Sequence, residues 1–275
     1  MIKDILLIID NVVRADPIIR ATLAMAERGA ADLTIEILTP GPLFIPALAQ
    51  LTAMYVPESE LAQDEAARIA SVAARTANFS CVARVLGLHD DMFGLARRAG
   101  KAGPIADLII TGDAASWETE WLRKHAVESI IMGGGTSLLI GNGQAPLGAV
   151  SHAAIGWKDS PEARRAIHDL MLLVEPAGRI SVIAVAEDQA EIDATAGSVA
   201  EVARHLTRHG FKAEVHQIIA GVESDAHALE SRALSEGAEL LAIGAFGHLR
   251  LRDVILGGVT HAMIEQPRLP LLLSR

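Results

Sequence analysis

The chain has 275 residues, of which 51% are hydrophobic, 21% are charged and only 3% are aromatic. This length accommodates two domains, and cores built mainly from Ala, Leu, Ile and Val are typical of α/β folds. The formal net charge of -10 excludes a general nucleic-acid or anionic-membrane surface, because those partners require a cationic face. The single cysteine, Cys81, excludes an internal disulfide framework and is expected in the core.

The first half of the chain alternates apolar runs of strand length with helical segments. The predicted strands are residues 3–10, 33–38, 81–86, 107–111 and 137–140. The predicted helices are residues 16–30, 57–77, 91–101 and 116–131. Asp16 is the expected N-cap of the first helix, with Pro17 at its first position. This alternation predicts a mostly parallel sheet with helices on both faces.

The segment at residues 37–57 carries no charge and is strongly apolar. Four prolines interrupt it, and a helix that crosses a bilayer needs about 20 continuous residues. We therefore expect a long excursion after a strand and no membrane partner. The N-terminal sequence MIKDILLIID has neither the length nor the cleavage site of a signal peptide, which predicts a cytoplasmic protein.

The same order of elements begins again after a Gly- and Pro-containing linker at residues 141–148. The predicted strands are residues 149–157, 179–186, 212–219, 239–243 and 269–273. The predicted helices are residues 160–174, 193–209 and 224–236, with a last helix that starts at a glycine pair. We interpret the chain as a tandem duplication, with domains at residues 1–145 and 146–275.

The most informative stretch is residues 239–260, ELLAIGAFGHLRLRDVILGGVT. A short apolar strand leads into GxxG, and nine residues later a second glycine pair precedes a helix start. The residues of this loop are Gly244, Gly247, Gly257, Gly258, Val259 and Thr260. Amides in the first turn of a helix lack intrahelical acceptors, and glycines let a bulky anion approach them. The pattern predicts a phosphate-binding loop, unless the glycines only close a βα turn and begin a helix.

Together with Pro267 and the final apolar strand, this stretch resembles the nucleotide-binding members of the universal stress protein family. The resemblance covers the whole chain and implies two tandem α/β domains of the adenine nucleotide alpha-hydrolase-like fold, each with a five-stranded mostly parallel sheet. It implies that the second domain binds ATP or a related adenine nucleotide through backbone amides, with Mg²⁺ only if a triphosphate binds. Gly258 stands where the family has Ser or Thr, so the amide is kept and the hydroxyl is lost.

The resemblance also implies contacts from the ends of the first two strands of the second domain. The family has an aspartate at the end of the first strand, but here Lys158 follows Trp157, and Asp159 comes next. Lys158 either binds a phosphate or is a surface lysine next to Asp159, which would then be the N-cap of the following helix. We favour the second interpretation. Main-chain contacts to adenine are expected near Val185. Trp157, Lys158 and Val185 therefore join the loop as predicted cofactor-binding residues.

The first domain keeps the family aspartate as Asp10 but has no phosphate loop. When the two halves are aligned, Gly112 corresponds to Gly244, while Ala115 stands where the second half has Gly247. A glycine run at residues 133–135 follows a predicted helix and is expected to stop it.

The resemblance implies a pairing role for the first domain. Residues 137–140 and 269–273 are expected to meet within the chain and to give an intramolecular pseudo-dimer of the two halves. Further pairing into a homodimer is left open.

Other residue patterns point to no further chemistry. No P-loop, dinucleotide fingerprint or nucleophile elbow is present, so we expect no enzyme activity beyond weak ATP hydrolysis. His205 and His209 have i, i+4 spacing on a predicted helix, but the sequence shows no third ligand, so we expect no metal site. The predicted function is a stress-response or signalling protein that binds an adenine nucleotide. The alternative is a ligand-free scaffold that acts through protein contacts.

Overall fold

The computed structural model describes residues 1–41, 58–101, 105–133, 135–143, 147, 149–221, 224–245 and 263–275. The chain divides into two compact units, residues 2–136 and residues 137–275 together with Met1. The boundary predicted after residue 145 falls within the second unit, because the strand at Leu138–Gly141 pairs with the last strand of the chain.

Residues 2–136 form a parallel α/β unit. Its strands are β1 (Asp4–Ile9), β2 (Asp32–Pro40), β3 (Ala83–Asp90) and β4 (Leu108–Gly112). Its helices are α1 (Asp16–Gly29), α2 (Glu58–Thr76), α3 (Met92–Ala99) and α4 (Glu120–Gly133), with a 3₁₀ turn at Ala114–Ser116. The strand order is β3-β2-β1-β4, and these neighbours are parallel. Strand β1 is buried except for Asp4, as expected for a strand covered on both faces.

Residues 137–275 form the second unit. Its strands are β5 (Leu138–Gly141), β6 (Val150–Gly156), β7 (Val174–Ala186), β8 (Lys212–Ile219), β9 (Leu240–Gly244) and β10 (Leu271–Ser274). Its helices are α5 (Pro161–Leu170), α6 (Gln189–Arg208) and α7 (Asp225–Ser235). The strands from β10 to β8 form a five-stranded parallel sheet in the order β10-β9-β6-β7-β8. Strand β5 adds to β10 in antiparallel orientation, which confirms the predicted meeting of these two segments.

The start of β7 differs from the sequence prediction. Residues 171–174 were expected to continue α5, but the helix ends at Leu170 and Val174 already pairs with Val150 of β6. The pairing register then shifts, and Ala177 takes a left-handed backbone with φ of 61°. A local irregularity of this kind inserts extra residues into one strand, so β7 begins earlier than its apolar run indicates.

One further prediction about the first unit is wrong, and another is refined. The N-cap of α1 is Ala15 rather than Asp16, because the Asp16 carboxylate instead accepts hydrogen bonds from Arg20 and Arg75, at 2.7 and 2.6 Å. Cys81 lies ahead of β3 and is half-buried, and burial raises the pKa of its thiol. A raised pKa disfavours the thiolate, which agrees with a cysteine that is not a nucleophile.

In both units a carboxylate holds the beginning of the first strand of the parallel sheet, which is β1 in the first unit and β6 in the second. In the first unit, Asp107 Oδ2 accepts hydrogen bonds from the amides of Lys3 and Asp4, at 2.7 and 3.1 Å. In the second unit, Glu239 Oε1 accepts from the amides of Ser151 and His152, both at 3.0 Å. Each carboxylate immediately precedes the fourth parallel strand of its unit, so this shared contact supports the duplication inferred from the sequence.

Replacing Glu239 by Gln is expected to lower the free energy of unfolding at pH 7 by about 1 kcal/mol, which is modest for a charged hydrogen-bond acceptor because the side chain is exposed. Burial alone would raise the pKa of Glu239, but the hydrogen bonds from Ser151 and His152 outweigh it and lower the pKa below the ordinary value of 4.5. A lowered carboxyl pKa stabilises the fold above that value, and the stabilisation is lost as the pH falls through the folded-state pKa.

Urea unfolding at neutral pH and at roughly pH 3.5 measures this effect. The difference between wild type and Glu239→Gln is expected to shrink at the acid pH. The substitution Glu175→Gln, at an exposed position on β7, is the control and is expected to leave stability unchanged at both pH values. A Glu239→Gln difference that is independent of pH would contradict the proposed role of the charge.

Candidate functional site at the carboxyl edge of the second unit

The carboxyl ends of β9, β6 and β7 lie side by side at one edge of the second unit. Gly156, the last residue of β6, lies opposite Ile243 of β9 and Ile183 of β7. The chain leaves β6 towards β7 and β8 on one side, then returns to β9 on the other side. In open α/β sheets such a reversal opens a crevice at the carboxyl ends of the two strands, and ligands bind there. The edge between β6 and β9 is therefore the candidate ligand site.

Four of the predicted site residues are described, and the fold brings them to this edge. Gly244 ends β9, Trp157 and Lys158 follow β6, and Val185 is the penultimate residue of β7. The remaining predicted loop residues lie outside the described part of the chain: Gly247, Gly257, Gly258, Val259 and Thr260.

Gly244 has a packing role that is independent of any ligand. A Cβ atom at this position would lie 2.5 Å from the amide nitrogen of Ala163 and 2.6 Å from the carbonyl carbon of Glu162. Both atoms belong to the backbone of the first turn of α5, so they have little freedom to move away. The close approach of β9 to α5 thus requires glycine here, and Gly244 alone does not indicate a phosphate site.

Trp157 is buried, and the protein itself occupies both of its N–H groups. Its amide donates to the carbonyl oxygen of Ile183 at 2.8 Å, and its indole Nε1 donates to Ser198 Oγ at 3.3 Å. The indole lines a cavity of about 420 Å³ whose other walls come from α5 and α6. In this conformation the Trp157 donors are not free to bind a nucleotide, although its ring forms one wall of a cavity.

Lys158 is exposed and makes no hydrogen bond or ion pair with the part of the chain that the structure describes. The favoured interpretation, a surface lysine beside an Asp159 N-cap, is right about the exposure of Lys158 but wrong about the cap. Ser160 is the N-cap of α5, because its Oγ accepts from the amide of Ala163 at 3.1 Å and Pro161 occupies the first helical position. Asp159 instead pairs with Arg164. Lys158 is therefore a cation at the candidate edge that has no charged partner among the described residues.

Val185 is half-buried and pairs with Ile218 of β8. Next to it, the carbonyl oxygen of Ala186 accepts from the amide of Ala220 at 3.3 Å. The end of β7 is thus held in place by β8 and by the residue that follows β8. Such a rigid main chain can present backbone groups to a ligand in a defined direction.

The corresponding edge of the first unit is closed by its own chain. Ile5 pairs with Leu108, as Ala153 pairs with Leu240 in the second unit, so Asp10 corresponds to Lys158. The Asp10 carboxylate is buried and accepts three hydrogen bonds from amides just before α4. The Glu118 amide donates to both carboxylate oxygens, to Oδ1 at 2.9 Å and to Oδ2 at 3.1 Å. The Thr119 amide donates to Oδ2 at 2.9 Å.

This contact places a carboxylate where a free helix start would otherwise attract an external anion. Burial raises the pKa of Asp10 even though the Glu118 and Thr119 amides oppose the shift. Because the folded-state pKa is raised, the contribution of Asp10 to stability falls as the pH rises above the ordinary value of 3.8.

The loop that closes this edge is fixed by further buried hydrogen bonds. The Trp117 indole donates to Thr111 Oγ1 at 3.0 Å, and the Thr111 hydroxyl donates to the carbonyl oxygen of Ile8 at 2.9 Å. Arg14 Nη1 donates to the carbonyl oxygen of Trp117 at 3.1 Å. The sequence alignment recognised that the glycine loop was missing here, but it did not show that Asp10 binds the substitute loop.

As predicted, α4 stops at the glycine run that begins with Gly133. The helix ends at Gly133, and Gly135 has a φ of 63°, a backbone conformation that suits glycine. A Cβ atom on Gly133 would lie 2.6 Å from the carbonyl oxygen of Gly100. These glycines are therefore explained by the helix end and by its packing.

The fold places this chain among the α/β proteins with a mostly parallel sheet, and comparisons with known proteins specify the fold further. Neither a scan against protein-family models nor a search of curated proteins finds a match. Solved structures do match. A universal stress protein from Archaeoglobus fulgidus superposes with a TM-score of 0.67 at 13% identity, covering 98% of this chain and 96% of that chain.

Two Pseudomonas aeruginosa proteins also match over nearly their whole length. One, of unknown function, has a TM-score of 0.57 at 13% identity and covers 99% of this chain and 92% of its own. The other, whose given name assigns it provisionally to the universal stress proteins, has a TM-score of 0.57 at 14% identity, with coverage of 99% and 93%. The chain thus has the universal stress protein fold, and the predicted fold class is confirmed.

None of the helices in the described part of the chain combines the length and apolarity needed to cross a lipid bilayer. Most of the apolar segment at residues 37–57 lies outside the described residues, so the excursion stays a prediction.

Replacing Asp10 by Ala is expected to lower the free energy of unfolding by about 2 kcal/mol, because the amides of Glu118 and Thr119 would lose the buried carboxylate that accepts from them. Asp10→Asn keeps one acceptor oxygen and is expected to cost less. Urea unfolding of both variants measures the effect, with Asp32→Ala, at an exposed position in the same unit, as the control. Equal stability of Asp10→Ala and Asp32→Ala would show that Asp10 does not hold this loop.

Proposed function

We propose that this chain is a universal stress protein that binds ATP or a related adenine nucleotide at the carboxyl edge of its second unit. Its role would be stress response or signalling in the cytoplasm. The observation that carries the proposal is the position of the GxxG sequence. It begins at the last residue of β9, beside the end of β6, where the reversal of strand order favours a ligand crevice.

The electrostatics of this edge support an anionic ligand. At the position where the first unit has the buried Asp10 carboxylate, the second unit has the exposed Lys158. An ammonium group with no protein partner among the described residues favours a phosphate at this edge. The replacement also removes the carboxylate that closes the first unit, so the second unit lacks that internal competitor.

The roles of the individual residues follow from the resemblance in the loop sequence. Amides of the glycine loop would hold the ribose and phosphates, and Thr260 would cap the helix start or contact the ligand. Main chain near Val185 would contact the adenine, and Mg²⁺ would bind only with a triphosphate. The sequence contains no P-loop, dinucleotide fingerprint or nucleophile elbow, so we propose a binding protein rather than an enzyme.

The first unit would serve as a structural partner rather than a second nucleotide site. Its closed edge at Asp10 supports this assignment. The intramolecular pseudo-dimer of the two halves that the resemblance implies is part of the proposal. Assembly of two chains into a homodimer is a further proposal that oligomeric-state measurements would test.

A second candidate function is a ligand-free scaffold that acts through protein contacts. The observation that favours it is the closed first unit, since it shows that this fold can fill its own anion site. Gly244 and the N–H groups of Trp157 also have structural explanations, so neither requires a nucleotide.

Calorimetric titration of the full chain with ATP separates the two candidates. Wild type is expected to bind one nucleotide, and Gly247→Val is expected to weaken binding at least about tenfold, because a branched side chain blocks the approach of a bulky anion to the loop. AMP and GTP titrations distinguish recognition of the base from recognition of phosphate alone.

Ala115→Val is the matched control, because Ala115 is exposed and occupies the position in the first unit that aligns with Gly247. It is expected to bind ATP as the wild type does. No measurable binding by the wild type, or equal affinity of wild type and Gly247→Val, would overturn the nucleotide site and leave the scaffold function.

A further inference from the structure

Three histidines meet on the surface of the second unit, beside the cavity that Trp157 lines. His205 and His209 lie one turn apart at the end of α6, and His168 comes from the last turn of α5. The ring centroids of His205 and His209 are 4.5 Å apart, and those of His168 and His205 are 5.6 Å apart. A third histidine beside this pair, which the sequence did not show, thus comes from a neighbouring helix. We refer to these three residues as the histidine cluster.

Two of the three ring separations, His205 to His209 and His168 to His205, are compatible with coordination of one metal ion. Imidazole nitrogens bind Zn²⁺ at about 2.0–2.1 Å in tetrahedral geometry, which places the centres of two ligating rings roughly 5 Å apart. Both measured separations lie near this value. The i, i+4 spacing also puts His205 and His209 on the same face of α6.

His205 is the central member, and one of its nitrogens has no protein partner. Its Nε2 atom is buried and has no hydrogen-bond partner among the described residues. A buried polar atom without a partner calls for an explanation, and a bound ion is one of the recognised ones. His168 and His209 are exposed, so their side chains have the rotamer freedom to close on a shared ion.

The charges around the cluster favour a metal that binds nitrogen rather than a hard cation. Arg164 and Arg208 line the same cavity as His168 and His205, while Asp159 and Glu201 are its acidic residues. Asp159 is already paired with Arg164. Because the surrounding charges are balanced in sign, affinity would come from coordinate bonds to imidazole, which suits Zn²⁺, Ni²⁺ and Cu²⁺ and not Mg²⁺ or Ca²⁺.

A second cluster in the same unit is a weaker candidate, although its ligand atoms are closer together. Atoms of Glu214, His216 and Glu236 all lie within 4.8 Å of one another. However, Arg232 donates to His216 Nδ1 at 2.6 Å, which leaves the proton of a neutral imidazole on Nε2. Arg232 also pairs with Glu236 at 2.7 Å, and Arg179 lies 3.7 Å from Glu214. His216 Nε2, like His205 Nε2, is buried without a hydrogen-bond partner among the described residues, but it carries the proton while Nδ1 accepts from Arg232. This cluster is therefore neutralised internally and offers no free imidazole lone pair.

We propose that the histidine cluster is a binding site for a divalent transition-metal ion, with His168, His205 and His209 as ligands. Glu201 lies one helical turn before His205 on α6 and lines the same cavity, so its carboxylate or a water molecule can complete the coordination. The site is separate from the proposed nucleotide loop and does not depend on the proposed function.

The proposal is tested by titrating the full chain, without an affinity tag, with Zn²⁺ and Ni²⁺ in excess Mg²⁺. Wild type is expected to bind one ion per chain. His205→Ala and His168→Ala are each expected to weaken binding about tenfold or more, since loss of a ligand costs at least as much as loss of an outer-shell partner. His216→Ala, at the neutralised cluster, is the matched control and is expected to bind as the wild type does.

Absorption of the Co²⁺-loaded protein reports the ligands independently, because replacing a histidine ligand changes the visible bands. Circular dichroism of each variant checks that it is folded. The proposal is overturned if the wild type binds no ion, or if Mg²⁺ displaces Zn²⁺. It is also overturned if His216→Ala abolishes binding, or if His168→Ala changes neither the affinity nor the spectrum.

Discussion

The structure depends on one constraint, which is that backbone amides without a main-chain acceptor need a hydrogen-bond acceptor from a side chain. A buried N–H group must find an acceptor, and where the sheet ends it finds a carboxylate. Asp107 and Glu239 meet this need at the amino ends of the first strands of the two units. Asp10 meets it at the carboxyl edge of the first unit, where the chain approaches α4. The same interaction thus stabilises the fold in one place and closes a potential anion site in another.

The two units differ at one residue position on their carboxyl edges. The first unit has a buried aspartate after its first strand, and a short loop before α4 folds onto it. The second unit has Lys158 at this position and a glycine-rich sequence after β9. A lysine side chain has no acceptor atom, so Lys158 cannot close the edge of the second unit as Asp10 closes that of the first. This asymmetry favours a nucleotide in the second unit and a structural role for the first.

The two clusters of possible metal ligands illustrate why short distances between ligand atoms are not enough to identify a metal site. Glu214, His216 and Glu236 are close together, but Arg232 and Arg179 already pair with them, and an arginine that donates to an imidazole nitrogen prevents that nitrogen from acting as a ligand. The histidine cluster is less compact. Each cluster has a buried Nε2 atom without a hydrogen-bond partner among the described residues, on His205 and on His216, but only His216 has its other ring nitrogen occupied by an arginine. Availability of a lone pair, rather than distance, distinguishes the two.

By itself, the sequence determined the duplication, the parallel α/β class and the alternation of elements, because apolar runs of strand length and helical periodicity are local properties. It also indicated the strand–glycine order at Gly244 and the pairing of the two last strands. It could not determine that Asp10 binds the amides before α4, or that Ser160 rather than Asp159 caps α5. Nor could it show that His168 joins His205 and His209. These contacts join segments that are distant in the chain or compete for the same amide, and only the packing of helices on the sheet decides which of them form.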